Sequence, residues 1–225
     1  MASATLPGAA VSAAIFSPQS NPPKPQYLSD IRSRLLQDAA LKPLKDAILG
    51  LPQTWDSLAS WRQEMSSLQN ARQRVQSLAQ WLESGVSEAI ESDTSGLVTL
   101  PLLTTIHMVQ YLDYLRQTQC THAEFLDSLK NGGVQGYCIG LLSAVVVATS
   151  ANEEELLNRA AAGLRVALAI GAFGDLAEAL SGGDWTTLAI RLRQGDKAEE
   201  EELLRRFPGV SNPPPPPPRP LLHQQ

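Results

Sequence analysis

The segment that most restricts how this chain folds is Gly136-Tyr137-Cys138-Ile139-Gly140, followed by the apolar run Leu141 to Ala148. Asn131-Gly132-Gly133 ends a helical pattern just before it, and Val134-Gln135 is a short candidate strand. The order breaker, strand, G-x-C-x-G, apolar helix is that of a nucleophile elbow with cysteine in the serine position. A nucleophile at a tight strand-to-helix turn projects its side chain, and small residues two before and two after let neighbouring backbone pass close. A helix starting there points its N-terminus at the sulfur and offers backbone N–H groups to an oxyanion. The plainer reading, a small buried cysteine between two incidental glycines, stays open from these residues alone.

The rest of the chain reads mostly as helix. Asn21-Pro22-Pro23-Lys24-Pro25 is excluded from a helix, and Ser29 or Asp30 is the expected N-cap of a helix with Leu28, Ile31, Leu35 and Leu36 on one face. Leu41, Leu44 and Ile48 continue it, with Pro43 as a break and Gly50 as a stop. Trp55, Leu58, Trp61, Met65 and Leu68, then Val75, Leu78 and Leu82, recur at helical spacing and read as core-facing. Gly85 to Gly96 is a polar link, and Pro101 is expected in the first turn of a buried helix running through Leu102, Ile106, Val109, Leu112 and Leu115. Thr121 and Glu124 form a capping box, and Ser150 with Glu153 reads as another. Trp185 to Leu192 suits a strand or a helix.

The chain has 225 residues and a formal net charge of -5. With no basic stripe to neutralise phosphates, nucleic acid is not an expected partner. Two cysteines do not make a disulfide scaffold. Counting continuous apolar residues finds no run of transmembrane length, so no membrane partner is expected. The first positive charge is Lys24, which is not the basic start of a signal peptide, and the expected compartment is cytoplasmic. Six consecutive prolines, Pro213 to Pro218, read as an extended polyproline tail, passive or engaging an SH3-type groove through Arg219-Pro220. Cys120, His122 and Cys138 lack a zinc spacing, so no metal is expected, and Asp175, Glu178 and Asp184 read as a solvated face.

Several blocks resemble one family in order. They are Ile15 to Ser20 with Tyr27-Leu28, Leu100-Pro101-Leu102-Leu103 through Leu115, Gly136 to Leu142, Leu164 to Gly171, and Leu203 to Gly209. Together they are similar to the starter-unit acyl-carrier-protein transacylase (SAT) domain of fungal non-reducing polyketide synthases. The resemblance implies an α/β fold of the acyltransferase (malonyl-transacylase) type, helix-rich and incomplete at its C-terminal part. It divides the chain into a flexible N-terminus (1–14), a partial SAT-like domain (15–210) and a proline-rich tail (211–225). Cys138 matches the family's nucleophile. Phe16-x-x-Gln19 matches the F-x-x-Q spacing of related acyltransferases, so Gln19 is expected in the oxyanion hole with the elbow residues Gly136, Ile139 and Gly140, although Gln19 also suits a turn.

The implied chemistry takes an acyl group from acyl-coenzyme A or a donor carrier protein. It passes the group through a cysteine thioester to the phosphopantetheine of an acyl carrier protein, with no bound cofactor. Malonyl-selective relatives carry an arginine on a later helix. Ile170 beside Gly171 falls at that place, with Arg165 a turn or more away, and an apolar residue there implies an uncharged acyl group. The family's catalytic histidine has no counterpart among the three histidines: His107 reads as core packing, His122 as part of a capping box, and His223 as tail. Three readings follow: a stand-alone SAT-like acyltransferase, with a second chain as one source of the general base, a catalytically inactive SAT-derived fragment that binds a polyketide synthase, and, ranked last, a thioester hydrolase.

Overall fold

The computed structural model describes residues 13–18, 23–129 and 132–182, together with Glu202 and Arg205. The chain divides into two units, Met1–Asp184 and Trp185–Gln225. In the second unit the described residues are Glu202 and Arg205, an ion pair at 2.9 Å. The candidate element at Trp185 to Leu192, the family-like block Leu203 to Gly209 apart from Arg205, the proline run, His223 and Gln19 lie outside the described residues.

The first unit is helix-rich around one small parallel sheet. Strand β1 (Ala14–Phe16) pairs with β2 (Val134–Gly136), with Ala14 opposite Val134 and Phe16 opposite Gly136. Between them come α1 (Pro25–Gln37), α2 (Lys42–Leu49), α3 (Leu51–Trp61), α4 (Ala71–Ser84), α5 (Glu88–Glu91), α6 (Gly96–Thr118) and α7 (His122–Ser128). After β2 follow α8 (Gly140–Thr149) and α9 (Glu153–Leu180). Helix α6 is buried on nearly every side, and α9 packs against it and against α2, α3 and α8.

Several helix limits differ from the sequence expectation. Helix α1 starts at Pro25, a turn before Ser29 and Asp30, because a first-turn residue needs no N–H and proline has the right φ. Leu28, Ile31 and Leu35 are buried as expected, whereas Leu36 is exposed. Pro43 likewise sits in the first turn of α2, and Gly50 both ends α2 and opens α3. Trp61 is 71% exposed, because α3 ends there; its ring carries the Arg62 guanidinium at 4.6 Å instead of a core contact. The polar link contains the short helix α5. The capping box at Thr121 and Glu124 forms, but the one expected at Ser150 is displaced: Asn152 accepts the Glu155 N–H at 2.9 Å, while Glu155 accepts the Ala151 N–H at 2.7 Å.

Pro101 is inside α6, not in its first turn. The helix begins earlier, at Gly96, because Asp175 of α9 accepts the Gly96 N–H at 2.8 Å and the Leu97 N–H at 3.1 Å. These two bonds supply from a distant helix the cap that the preceding residues do not provide. The crossing is close: a Cβ on Gly171 would lie 2.1 Å from the Gly96 carbonyl oxygen. Asp175 is therefore half-buried and committed, which corrects its reading as a solvated carboxylate. Burial raises its carboxyl pKa above the ordinary value, against the pull of the two N–H donors.

Helix α9 is also long and apolar enough to cross a membrane by length and composition. Counting unbroken apolar runs missed this, since Arg165 and Asp175 interrupt the run. Its apolar residues Leu156, Ala160, Leu164, Leu168 and Ala172 are buried in the core of the unit.

Candidate functional site

The site is built where β2 meets α8. The Tyr137 N–H donates to the Phe16 carbonyl at 3.0 Å, extending the sheet by one rung past Gly136. The chain then turns sharply at Cys138, whose φ is 54°. That left-handed conformation is rare for a residue with a Cβ and costs about 1–2 kcal/mol. The turn is closed by the Gly140 N–H donating to the Tyr137 carbonyl at 2.9 Å and the Leu141 N–H donating to the Cys138 carbonyl at 3.0 Å. Helix α8 starts immediately after, with no side-chain cap. Cys138 is exposed between exposed Tyr137 and Leu141, while Ile139 is buried and anchors the turn.

Both glycines are required by contact. A Cβ on Gly136 would lie 2.2 Å from the Gly140 carbonyl oxygen, and a Cβ on Gly140 would lie 2.3 Å from the Phe16 carbonyl oxygen. Three backbone segments, the end of β1, the end of β2 and the start of α8, thus pass at distances that exclude any side chain. The reading of a buried cysteine between incidental glycines does not hold here: the sulfur is exposed and the glycines are necessary. Gln19 lies outside the described residues, three positions beyond Phe16, which is itself in register with Gly136.

Helix α9 folds back along α8, with a Cβ on Gly163 reaching the Val146 side chain at 3.3 Å. On α9 both Ile170 and Arg165 are exposed. Five residues of helix turn them to different faces, about 140° apart.

The two described histidines are buried and engaged. His122 accepts or shares a hydrogen bond with the Tyr111 hydroxyl at 2.7 Å through Nδ1 and donates to the Ser150 carbonyl at 2.9 Å through Nε2. This buried bridge ties α6 and α7 to the end of α8, and burial drives the Tyr111 phenol pKa well up. His107 is more than a packing residue. Its Nδ1 lies 2.9 Å from the Ser143 hydroxyl of α8, and its ring meets Phe16 edge-on at 5.5 Å. Burial lowers the His107 pKa from 6.5 to about 4. The Ser17 backbone opposes that shift, yet Nε2 has no partner with hydrogen-bond geometry among the described residues. Sequence reasoning missed this pair, although Ser143 is the one hydroxyl within the apolar run Leu141 to Ala148 and was a visible signal.

A cavity of about 330 Å³ lies between the exit of β1, the start of α1 and α6; Cys138 is not among its described lining residues. Its walls include Ser17, Tyr27, Leu103, Ile106, His107 and Gln110, with the carboxylates Glu91 and Asp93 and no Lys or Arg among the described residues. That volume is at the small end of the range for ligand pockets.

Comparison with known proteins places the chain in a family. Residues 56–214 match the family described as "Starter unit:ACP transacylase in aflatoxin biosynthesis". The chain is 50% identical over 198 residues to the non-reducing polyketide synthase ascC of Acremonium egyptiacum, covering 88% of this chain and 9% of that protein. It is 52% identical over 199 residues to the non-reducing polyketide synthase stbA of Stachybotrys bisbyi, with the same coverage of 88% and 9%. It is 32% identical over 188 residues to the 5-methylorsellinic acid synthase of Aspergillus terreus, covering 82% of this chain and 7% of that protein. The chain therefore spans less than a tenth of the length of these relatives. The family match over most of the chain, centred on the bend that carries Cys138, places this protein in the starter unit:ACP transacylase (SAT) family.

Proposed function

We propose that this chain is an acyltransferase-type SAT domain in which Cys138 carries the starter acyl group of a polyketide. The observation that carries the reading is the exposed Cys138 at φ 54°, held between two glycines that tolerate no side chain, at the open start of α8. The Cys138 sulfur attacks the carbonyl carbon of an acyl-coenzyme A or acyl-carrier thioester. The carbonyl oxygen takes the negative charge, stabilised by the Ile139 N–H beside the nucleophile and, in this reading, by Gln19. The C–S bond to the donor breaks, and the donor leaves as a thiol with the proton from Cys138. The phosphopantetheine thiol of a carrier protein then attacks the Cys138 thioester, and Cys138 recovers a proton. His122 is committed at both nitrogens and does not serve as the base. In this reading the proton acceptor comes from a second chain of the synthase.

The acyl group is uncharged. Ile170 stands where the resemblance places the arginine of malonyl-selective relatives, so a substrate carboxylate would lack that partner, and an unpaired charge is disfavoured.

Peptide mass measurement after incubation with acetyl-, butyryl- and malonyl-coenzyme A tests the proposal. Acetyl or butyryl adducts on Cys138, absent in Cys138→Ala and discharged by a holo carrier protein, are expected, with little malonyl adduct. An equal adduct in Cys138→Ala, or none in the native chain with its synthase present, would refute it. Carrier binding that survives Cys138→Ala without any acylation would establish the non-catalytic interaction reading instead.

A further inference from the structure

We propose that His107 is a positioning residue for the Cys138 bend, acting by joining the two backbone segments between which that bend is clamped. The first segment is the exit of β1. The His107 ring packs edge-on against Phe16 at 5.5 Å, and the Phe16 carbonyl both accepts the Tyr137 N–H and stands against Gly140. The second segment is α8. The Ser143 hydroxyl, one turn into that helix and fully buried, lies 2.9 Å from His107 Nδ1. His107 itself projects from α6, the most buried helix of the unit, and is 4% exposed. One imidazole thus contacts the strand end and the helix that flank the strained residue.

Packing alone does not account for an imidazole here. Its Nε2 is buried with no partner of hydrogen-bond geometry among the described residues, a cost an aliphatic side chain would not incur. The bond to Ser143 is what an aliphatic side chain cannot make. A non-glycine residue at positive φ persists only where its surroundings over-determine it. Loosening either contact lets Cys138 relax toward ordinary φ, and the sulfur then leaves the N-terminal end of α8. The groups facing the ring are Ser143, Phe16 and the Ser17 backbone; Glu91 and Asp93 share its cavity.

This inference deepens the reading of Cys138 as the nucleophile, but its test reads the thiol directly and needs no acyl transfer. The full chain is alkylated with iodoacetamide at neutral pH, and the rate at Cys138 is divided by the rate at Cys120 in the same digest. Cys120 is the second free thiol and lies at the far end of α6. Both Ser143→Ala and His107→Leu should lower the ratio by about fivefold, the factor one buried hydrogen bond is worth. His107→Asn, which keeps a polar atom near the position of Nδ1, should restore most of the native ratio. If His107→Leu fails to fold, Ser143→Ala decides alone. An unchanged or raised ratio in Ser143→Ala, or no rescue by His107→Asn, would overturn the proposal. Loss of acyl transfer with this coupling intact would refute the function and leave the inference standing.

Discussion

Acidification from pH 7 to pH 5 should destabilise the protein by about 2 kcal/mol through His107 alone. The folded chain holds this imidazole at a pKa of about 4, against 6.5 when unfolded, because burial disfavours the charged ring. The unfolded state therefore takes up a proton first as the pH falls. The stabilising contribution is complete above the unfolded value and is lost as pH drops toward the folded one. At pH 5 the unfolded ring is almost fully protonated and the folded ring is about one-tenth protonated, which gives the 2 kcal/mol; near pH 4 the loss reaches about 3 kcal/mol. Urea unfolding at pH 7 and pH 5, followed by tryptophan fluorescence, measures it in the native protein and in His107→Leu. The variant should lose about 2 kcal/mol less between the two conditions. Glu91 and Asp93 line the same cavity and are present in both proteins, so the double difference isolates the imidazole. Asp175, whose pKa is raised by burial, acts in the opposite direction: its contribution is present at low pH and is lost as pH rises through its folded value. Equal pH dependence in the two proteins would refute the reasoning.

Other consequences are equally open to measurement. Cys138 has a φ of 54°, so Cys138→Gly should be more stable than Cys138→Ala by about 0.5–1 kcal/mol in denaturant unfolding, with no acylation in either. Equal stability would show that no strain resides at the bend. Gly140→Ala places a Cβ 2.3 Å from the Phe16 carbonyl oxygen, so it should cost on the order of 2–4 kcal/mol and slow Cys138 labelling. A loss below about 1 kcal/mol would mean that β1 can yield. Asp175→Ala removes the acceptor for the Gly96 and Leu97 N–H groups and should cost about 1–2 kcal/mol, with faster amide exchange confined to the first turn of α6.

Much of this architecture was legible before any coordinates. Apolar spacing placed Leu28, Ile31 and Leu35, and later Val75, Leu78 and Leu82, on buried faces, since a helix repeats its face every three or four residues. Thr121 and Glu124 announced their own capping box, a contact made within one turn. The same locality explains the errors. Ser29, Pro101 and Ser150 read as helix starts from their neighbours in sequence, but Pro25, Asp175 and Asn152 provide the actual first turns or caps. Trp61 has the spacing of a core residue, yet its helix ends there. Asp175 reads as solvated until the crossing of α6 and α9 is known.

For the candidate site, Gly-Tyr-Cys-Ile-Gly between a short strand and an apolar helix pointed to a bend from local pattern, while a plain buried cysteine stayed open. What holds the bend in place comes from contacts between distant elements. Phe16 stands against Gly140 across more than a hundred intervening residues, and His107 reaches Ser143 from a different helix. Such contacts depend on where whole elements come to rest, and that is fixed by the collective burial of the core rather than by any pattern along the chain.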